Sequence, residues 1–172
     1  MGLYTQVIGK TMTHGYAGSY SRQPDSVIDT HAVSENGQAI CFGLGVVYGI
    51  DGAVLLPSAG TTAGQFVGIA VREIKSATDF MNQNIGAYNL GEAAPIMKRG
   101  CVNVACQRGT PKMGSAVYMR IAENTSYPNA VIGGFEAEAD GENTVKLDNC
   151  QWRGSADTNG IAELRILTMI NA

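Results

Sequence analysis

Apolar positions along this chain come in short β-branched runs that glycine keeps breaking, and the second half inserts polar residues at alternate places. Val102, Val104 and Cys106 share one side of a two-residue period, with Asn103, Ala105 and Gln107 on the other. Val117, Met119 and Ile121 oppose Ala116, Tyr118 and Arg120, and Val145 and Leu147 oppose Lys146 and Asp148. Phe135, Ala137 and Ala139 oppose Glu136 and Glu138, which read as a solvated face beside the Asp140-Gly141 turn. In the segment 160–169, Ala162, Leu164 and Ile166 oppose Glu163 and Arg165. Each alternation predicts a half-buried strand.

The first half is more continuous. Ser26 to Val33 is rich in β-branched residues and predicts a strand entered through Pro24-Asp25. Ala39 to Tyr48 and Gln65 to Val71 are nearly unbroken apolar runs, which suits strands covered on both faces. Gly68 sits where a neighbouring strand approaches closely. Ala53 to Leu56 is a shorter strand ended by Pro57, and 76–84 predicts a loop. Turn dipeptides punctuate the whole: Asn36-Gly37, Asp51-Gly52, Arg108-Gly109, Asp140-Gly141 and Asn159-Gly160. The architecture expected is all-β, a short-stranded antiparallel sandwich, jelly roll or small barrel. Residues 1–25 lack apolar periodicity and predict an extended N-terminal arm, leaving 26–172 as a single domain.

Composition narrows the function classes. Charged residues are 16 % of the 172, against about 25 % in ordinary soluble domains, so part of the surface is expected to be covered by another protein. A net charge of -3, with Lys98-Arg99 the one adjacent basic pair, argues against nucleic acid. No run approaches the roughly 18 apolar residues that span a bilayer, and the first residues do not read as a secretory signal, so no membrane partner and synthesis in a cytoplasm are expected.

Reactive chemistry is sparse. There is no G-x-S-x-G elbow, no Walker motif and no G-x-G-x-x-G. His14 and His31 are too far apart for an H-x-H metal pair, and Cys41, Cys101, Cys106 and Cys150 form no C-x-x-C, so they read as free thiols behaving as small hydrophobes. No catalytic residue, metal or cofactor is expected. Trp152, beside Arg153, reads either as core or as an aromatic anchor for a partner.

Ordered motifs carry a resemblance. Pro24-Asp25-Ser26-Val27-Ile28-Asp29-Thr30, then Ala39-Ile40-Cys41-Phe42-Gly43 with Val46-Val47, resembles the opening of the structural cement (capsid decoration) proteins of tailed bacteriophages. Phe66-Val67-Gly68-Ile69-Ala70, Gly100 with Val102-x-Val104, Gly114-x-x-Val117-Tyr118 and the end from Gly154 to Leu164 follow the same family's order. Cys41 departs from it, standing where the pattern leads to proline. The resemblance implies a non-enzymatic virion protein, placed on the outer capsid surface as a homodimer or homotrimer and bridging major capsid protein subunits. Tyr16, Tyr20 and Arg22 of the arm, with Trp152, are the residues expected to meet capsid or neighbour, since tyrosine offers amphipathic area and arginine bridges carboxylates. Deleting residues 1–22 is expected to leave a folded protein that binds capsids poorly. Two other classes are open to the sequence: a carbohydrate-binding β-sandwich module of a phage tail or adhesin, and an enzyme using carboxylates such as Glu136 and Glu138, which would need two acids converging in a pocket.

Overall fold

The computed structural model describes residues 13–73 and 85–170. Eleven strands carry them: β1 (Tyr20–Ala32), β2 (Ile40–Cys41), β3 (Gly45–Tyr48), β4 (Val54–Leu55), β5 (Phe66–Ala70), β6 (Ala87–Tyr88), β7 (Ala93–Ala105), β8 (Ala116–Arg120), β9 (Phe135–Glu136), β10 (Thr144–Trp152) and β11 (Ile161–Ile166). Helix among the described residues amounts to two 3-10 turns, Ala63–Gln65 and Gly141–Asn143. The all-β expectation holds: nine strands form one curled antiparallel sheet, a half-barrel, in the order β4-β3-β5-β7-β11-β10-β8-β9 with β1 added on β7. The pair β2-β6 stands apart.

β7 organises the sheet. It pairs with β1 from Ala93 to Val102, with β5 at Ile96 and Met97, and with β11 from Gly100 to Ala105. Its two faces feed two cores. Met97, Val102 and Val104 join Phe66, Met119, Phe135, Leu147, Trp152 and Leu164 in the larger one. Ala94 and Ile96 join Ile40, Val46, Val54, Val67 and Tyr88 in the smaller. β5 is buried at all five positions, as its unbroken apolar sequence requires, and divides its side chains between the same two cores. Gly68 lies where expected: a Cβ there would press on the Met97 carbonyl and come 2.8 Å from Ile96 Cγ2.

The curl brings the two halves of the sheet together. Gly45 at the start of β3 donates its N–H to Gly133 O at 2.8 Å, and Phe66 meets Phe135 edge-to-face at 6.5 Å between centroids. A Cβ at Gly45 would stand 2.7 Å from Met119 Sδ and 3.1 Å from Phe135 Cζ, so a larger residue there would force the core side chains at the closure to shift.

Several expectations are corrected. Residues 20–25, read as arm, are the first half of β1, and the chain is already tied down at His14, whose N–H donates to Asp157 Oδ2 at 2.8 Å. Removing residues 1–22 would therefore cut into the sheet. Ala39 to Tyr48 is two strands, not one, because Gly43 at φ +81° turns the chain between β2 and β3. The strand after Gly134 stops at Glu136, and the last one at Ile166. Glu136, expected in solvent, is fully buried, as is Arg120. The loop expected at 76–84 lies outside the described residues, as does the arm before Thr13.

Candidate functional site

The outer face of the sheet, opposite the larger core, is built at the junction of β1, β7 and β11. Tyr20 pairs with Val102 and so lies on the core side, where it packs against the larger core and hydrogen-bonds Glu73. A register shift follows, and Arg22 pairs with the neighbouring Cys101. Adjacent strand positions face opposite ways, so the irregularity places Tyr20 and Arg22 on opposite faces of the sheet. Arg165 of β11 pairs with Cys101 from the other side. One row across the sheet thus reads Arg22, Cys101, Arg165.

Glu163 sits beside this row and carries its electrostatics. Its side chain is 5 % exposed, and Arg22 grips it through both oxygens, Nε to Oε1 at 2.6 Å and Nη2 to Oε2 at 3.1 Å. Arg153 Nε approaches the same carboxylate at 3.9 Å. Burial pushes the Glu163 carboxyl up, but the bond and charge of Arg22, helped by Cys101 and Arg153, outweigh it and hold the group below its ordinary range. Asp25 does the same service beside it, taking Arg99 Nη2 at 3.0 Å and Arg165 Nη2 at 3.3 Å. The basic residues that look scattered in sequence are gathered here by strand pairing: Arg22, Arg99, Arg153 and Arg165 stand around two carboxylates.

Residues 14–19 pack against the rim of this face. Asn103, buried, donates Nδ2 to His14 O at 2.7 Å and to Ser19 Oγ at 3.0 Å, while its backbone pairs with Gly18 and Ser19. Tyr16 is exposed, with the Arg72 guanidinium 5.1 Å from its ring centroid. Of the residues expected to meet a partner, Tyr16 and Arg22 present side-chain surface to solvent, and Tyr20 is partly covered. Trp152 does not fit the anchor reading: its side chain is fully enclosed in the larger core and has no surface to offer. Arg99, Arg153 and Arg165 were missed as a group because nothing in their spacing reports the pairing of β1, β7 and β11.

A second charged group is internal. Arg120 Nε bonds Glu136 Oε1 at 2.6 Å and its Nη2 bonds Asp140 Oδ2 at 2.9 Å. Arg108, stacked 4.5 Å over Tyr127, lies 3.5 Å from Glu136 Oε2. The Asn124 amide bond leads the effects that hold the Asp140 carboxyl below its ordinary range; Arg120 and Arg108 assist against a burial penalty. Every acid here faces a guanidinium, which makes it a clamp between β8, β9 and the 122–143 segment rather than a pair of acids free for proton transfer.

Among the described residues no three of His, Cys, Asp and Glu converge as metal ligands. His31 lies on β1 with Nε2 3.4 Å from Tyr48 Oη, and burial pushes its pKa down. Cys101 and Cys150 are buried, Cys106 is half-buried and Cys41 is exposed, all four free; for Cys41 the small-hydrophobe reading is corrected. An open cavity of about 520 Å³ lies between Leu55, Pro57, Ile121 and Ile132, with Glu123 its one ionisable side chain. Asn36, Gln38 and Ser58 also line it, and Glu123 has no second ionisable side chain there to share acid-base work.

Comparison with known proteins agrees with this reading. No curated protein matches the sequence. A solved chain from the capsid of Myoviridae Phage XM1 is 14 % identical and superposes with a TM-score of 0.69, covering 98 % of this chain and 99 % of the other, which establishes a shared fold. The family described as structural cement protein (E217 gp24/Pam3 gp6) matches over residues 4–167. With that match spanning nearly the whole sequence, the chain belongs to the structural cement protein family.

Proposed function

We propose that this protein is a non-enzymatic virion component that binds the outer surface of a phage capsid and stabilises contacts between major capsid protein subunits. The observation that carries the reading is the family match over residues 4–167. The structure supports it in two ways. The ion pairs around Glu136 and Asp140 tie those acids to Arg120 and Arg108, and the charged face of the sheet sits beside residues 14–22, where Tyr16 and Arg22 are exposed.

The physical action is linkage. A protein that binds the assembled lattice, and not its separated subunits, stabilises the lattice by mass action. Acting as a homodimer or homotrimer, it multiplies modest contacts through effective concentration. A stable contact buries about 1,000 Å² or more in total, which a chain exposing 9867 Å² can supply from one face.

Co-sedimentation of the purified protein with expanded phage heads tests this. Saturable binding with a raised temperature of head disruption is the expected result. Failure to bind heads, together with retention on a glycan array, would overturn it in favour of the carbohydrate-binding module.

A further inference from the structure

We infer that Arg22, Arg99, Arg153 and Arg165, gathered around Asp25 and Glu163 on the outer face of the sheet, form the docking surface for a carboxylate-rich segment of the capsid protein. The inference rests on the capsid-binding reading and adds where on the molecule, and by what chemistry, the contact is made.

Donors outnumber acceptors on this face. Four guanidiniums offer five N–H groups each, and the ion-pair acceptors around them are the carboxylates of Asp25 and Glu163. Four positive charges thus face two negative ones in a chain whose net charge is -3, so the face has the opposite sign to the molecule as a whole.

Exposure and rigidity follow from the strands. The four arginine side chains are between 32 and 59 % exposed, so their outer N–H groups reach solvent, while β1, β7 and β11 fix their Cα positions. Asp25 and Glu163 hold the guanidiniums in place before any partner arrives, which lowers the side-chain entropy lost on binding. Planar forks pre-set in this way suit paired oxygens.

Carboxylate fits better than phosphate. Duplex DNA presents a charge about every 1.7 Å of helix axis and is held by an extended row of cations, whereas this face is compact and interleaves its guanidiniums with Asp25 and Glu163. An acidic protein segment needs only a few paired oxygens, and the attraction steers its approach.

The test uses the full chain with Arg153→Glu and Arg165→Glu, which leave the Arg22–Glu163 and Arg99–Asp25 pairs intact. Head occupancy at low salt should fall about tenfold relative to wild type, and the gap should close at high salt as screening removes the attraction. The milder pair Arg153→Gln and Arg165→Gln should fall in between, with melting temperature confirming the fold of both. Wild-type and folded variant binding heads equally would overturn the docking surface while leaving the capsid reading intact. Wild type failing to bind heads at all would remove the capsid reading itself. Two other results would also overturn the assignment: loss of the protein's own oligomer in the variant, or wild-type retention of duplex DNA that the variant lacks.

Discussion

Arg120 and Glu136 face each other across β8 and β9 with Nε and Oε1 2.6 Å apart, and neither side chain touches solvent. Both are taken out of water at a cost that their mutual attraction offsets only while the pair is whole. Glu136→Ala leaves a buried guanidinium with Asp140 as its remaining ion partner, and should destabilise by about 3–5 kcal/mol. Replacing both residues with apolar ones of similar volume should restore most of that. Denaturant unfolding of the single and double variants measures the difference.

Gly68 offers a second site of high sensitivity. Its Cα passes so close to β7 that an added methyl would stand 2.9 Å from the Met97 carbonyl carbon, in backbone that cannot swing aside. Gly68→Ala should cost about 1–3 kcal/mol by overpacking, whereas Gly64→Ala, which meets open space, should be nearly silent. Paired thermal melts distinguish the two.

Acid stability should depend on Arg22. The Glu163 carboxyl is held below its ordinary value of 4.5 in the folded chain, so the stabilisation it brings is present above that pH and is lost as pH falls through the folded value. Arg22→Gln removes the main opposing influence and lets burial push the carboxyl up. The variant should melt below wild type at neutral pH, and the gap should shrink as pH falls through the folded Glu163 value and the carboxyl becomes protonated in both. Melting temperature followed against pH reads this directly.

Thiol reactivity should sort by burial. Cys41 is exposed, while burial pushes the thiols of Cys101, Cys106 and Cys150 up. A thiol reagent at mildly alkaline pH should label Cys41 quickly, Cys106 slowly, and Cys101 and Cys150 only after denaturation. Peptide mapping of the labelled protein gives the order.

Strand identity was readable wherever one face is wet. β10 and β11 alternate because Lys146, Asp148 and Arg165 reach solvent while Leu147, Leu164 and Ile166 do not. β7 was only half visible: Pro95 and Gly100, the latter at φ +131°, disguise its first eight residues, and Lys98 is buried against Asp29 at 2.9 Å. The same limit hid the Arg120–Glu136 pair. Alternation correctly sets Arg120 opposite Val117 and Met119, but the 122–143 segment folds over that side, with Gly133 and Gly134 bonding the Arg120 backbone. A two-residue period reports which side a residue takes, not what covers it.

The arginine face was illegible for a different reason. Arg22 and Arg165 are neighbours of the same Cys101 although most of the chain separates them. Local pattern carries no record of which strands lie side by side, and the register shift after Tyr20 reverses the face that simple alternation would give Arg22. Tyr16, Tyr20 and Arg22 look like one cluster in the sequence and are three different environments in space.

The long β1–β7 ladder has a mechanical consequence. A tug on the chain ahead of Tyr20, directed along the strand axis, would load the regular ladder between Ile28 and Ala32 in parallel, so those bonds must yield together instead of peeling one by one. Forced unfolding is set by that barrier and not by overall equilibrium stability. A pull entering through β1 would therefore be resisted first by the regular stretch of this seam, not by the rest of the sheet.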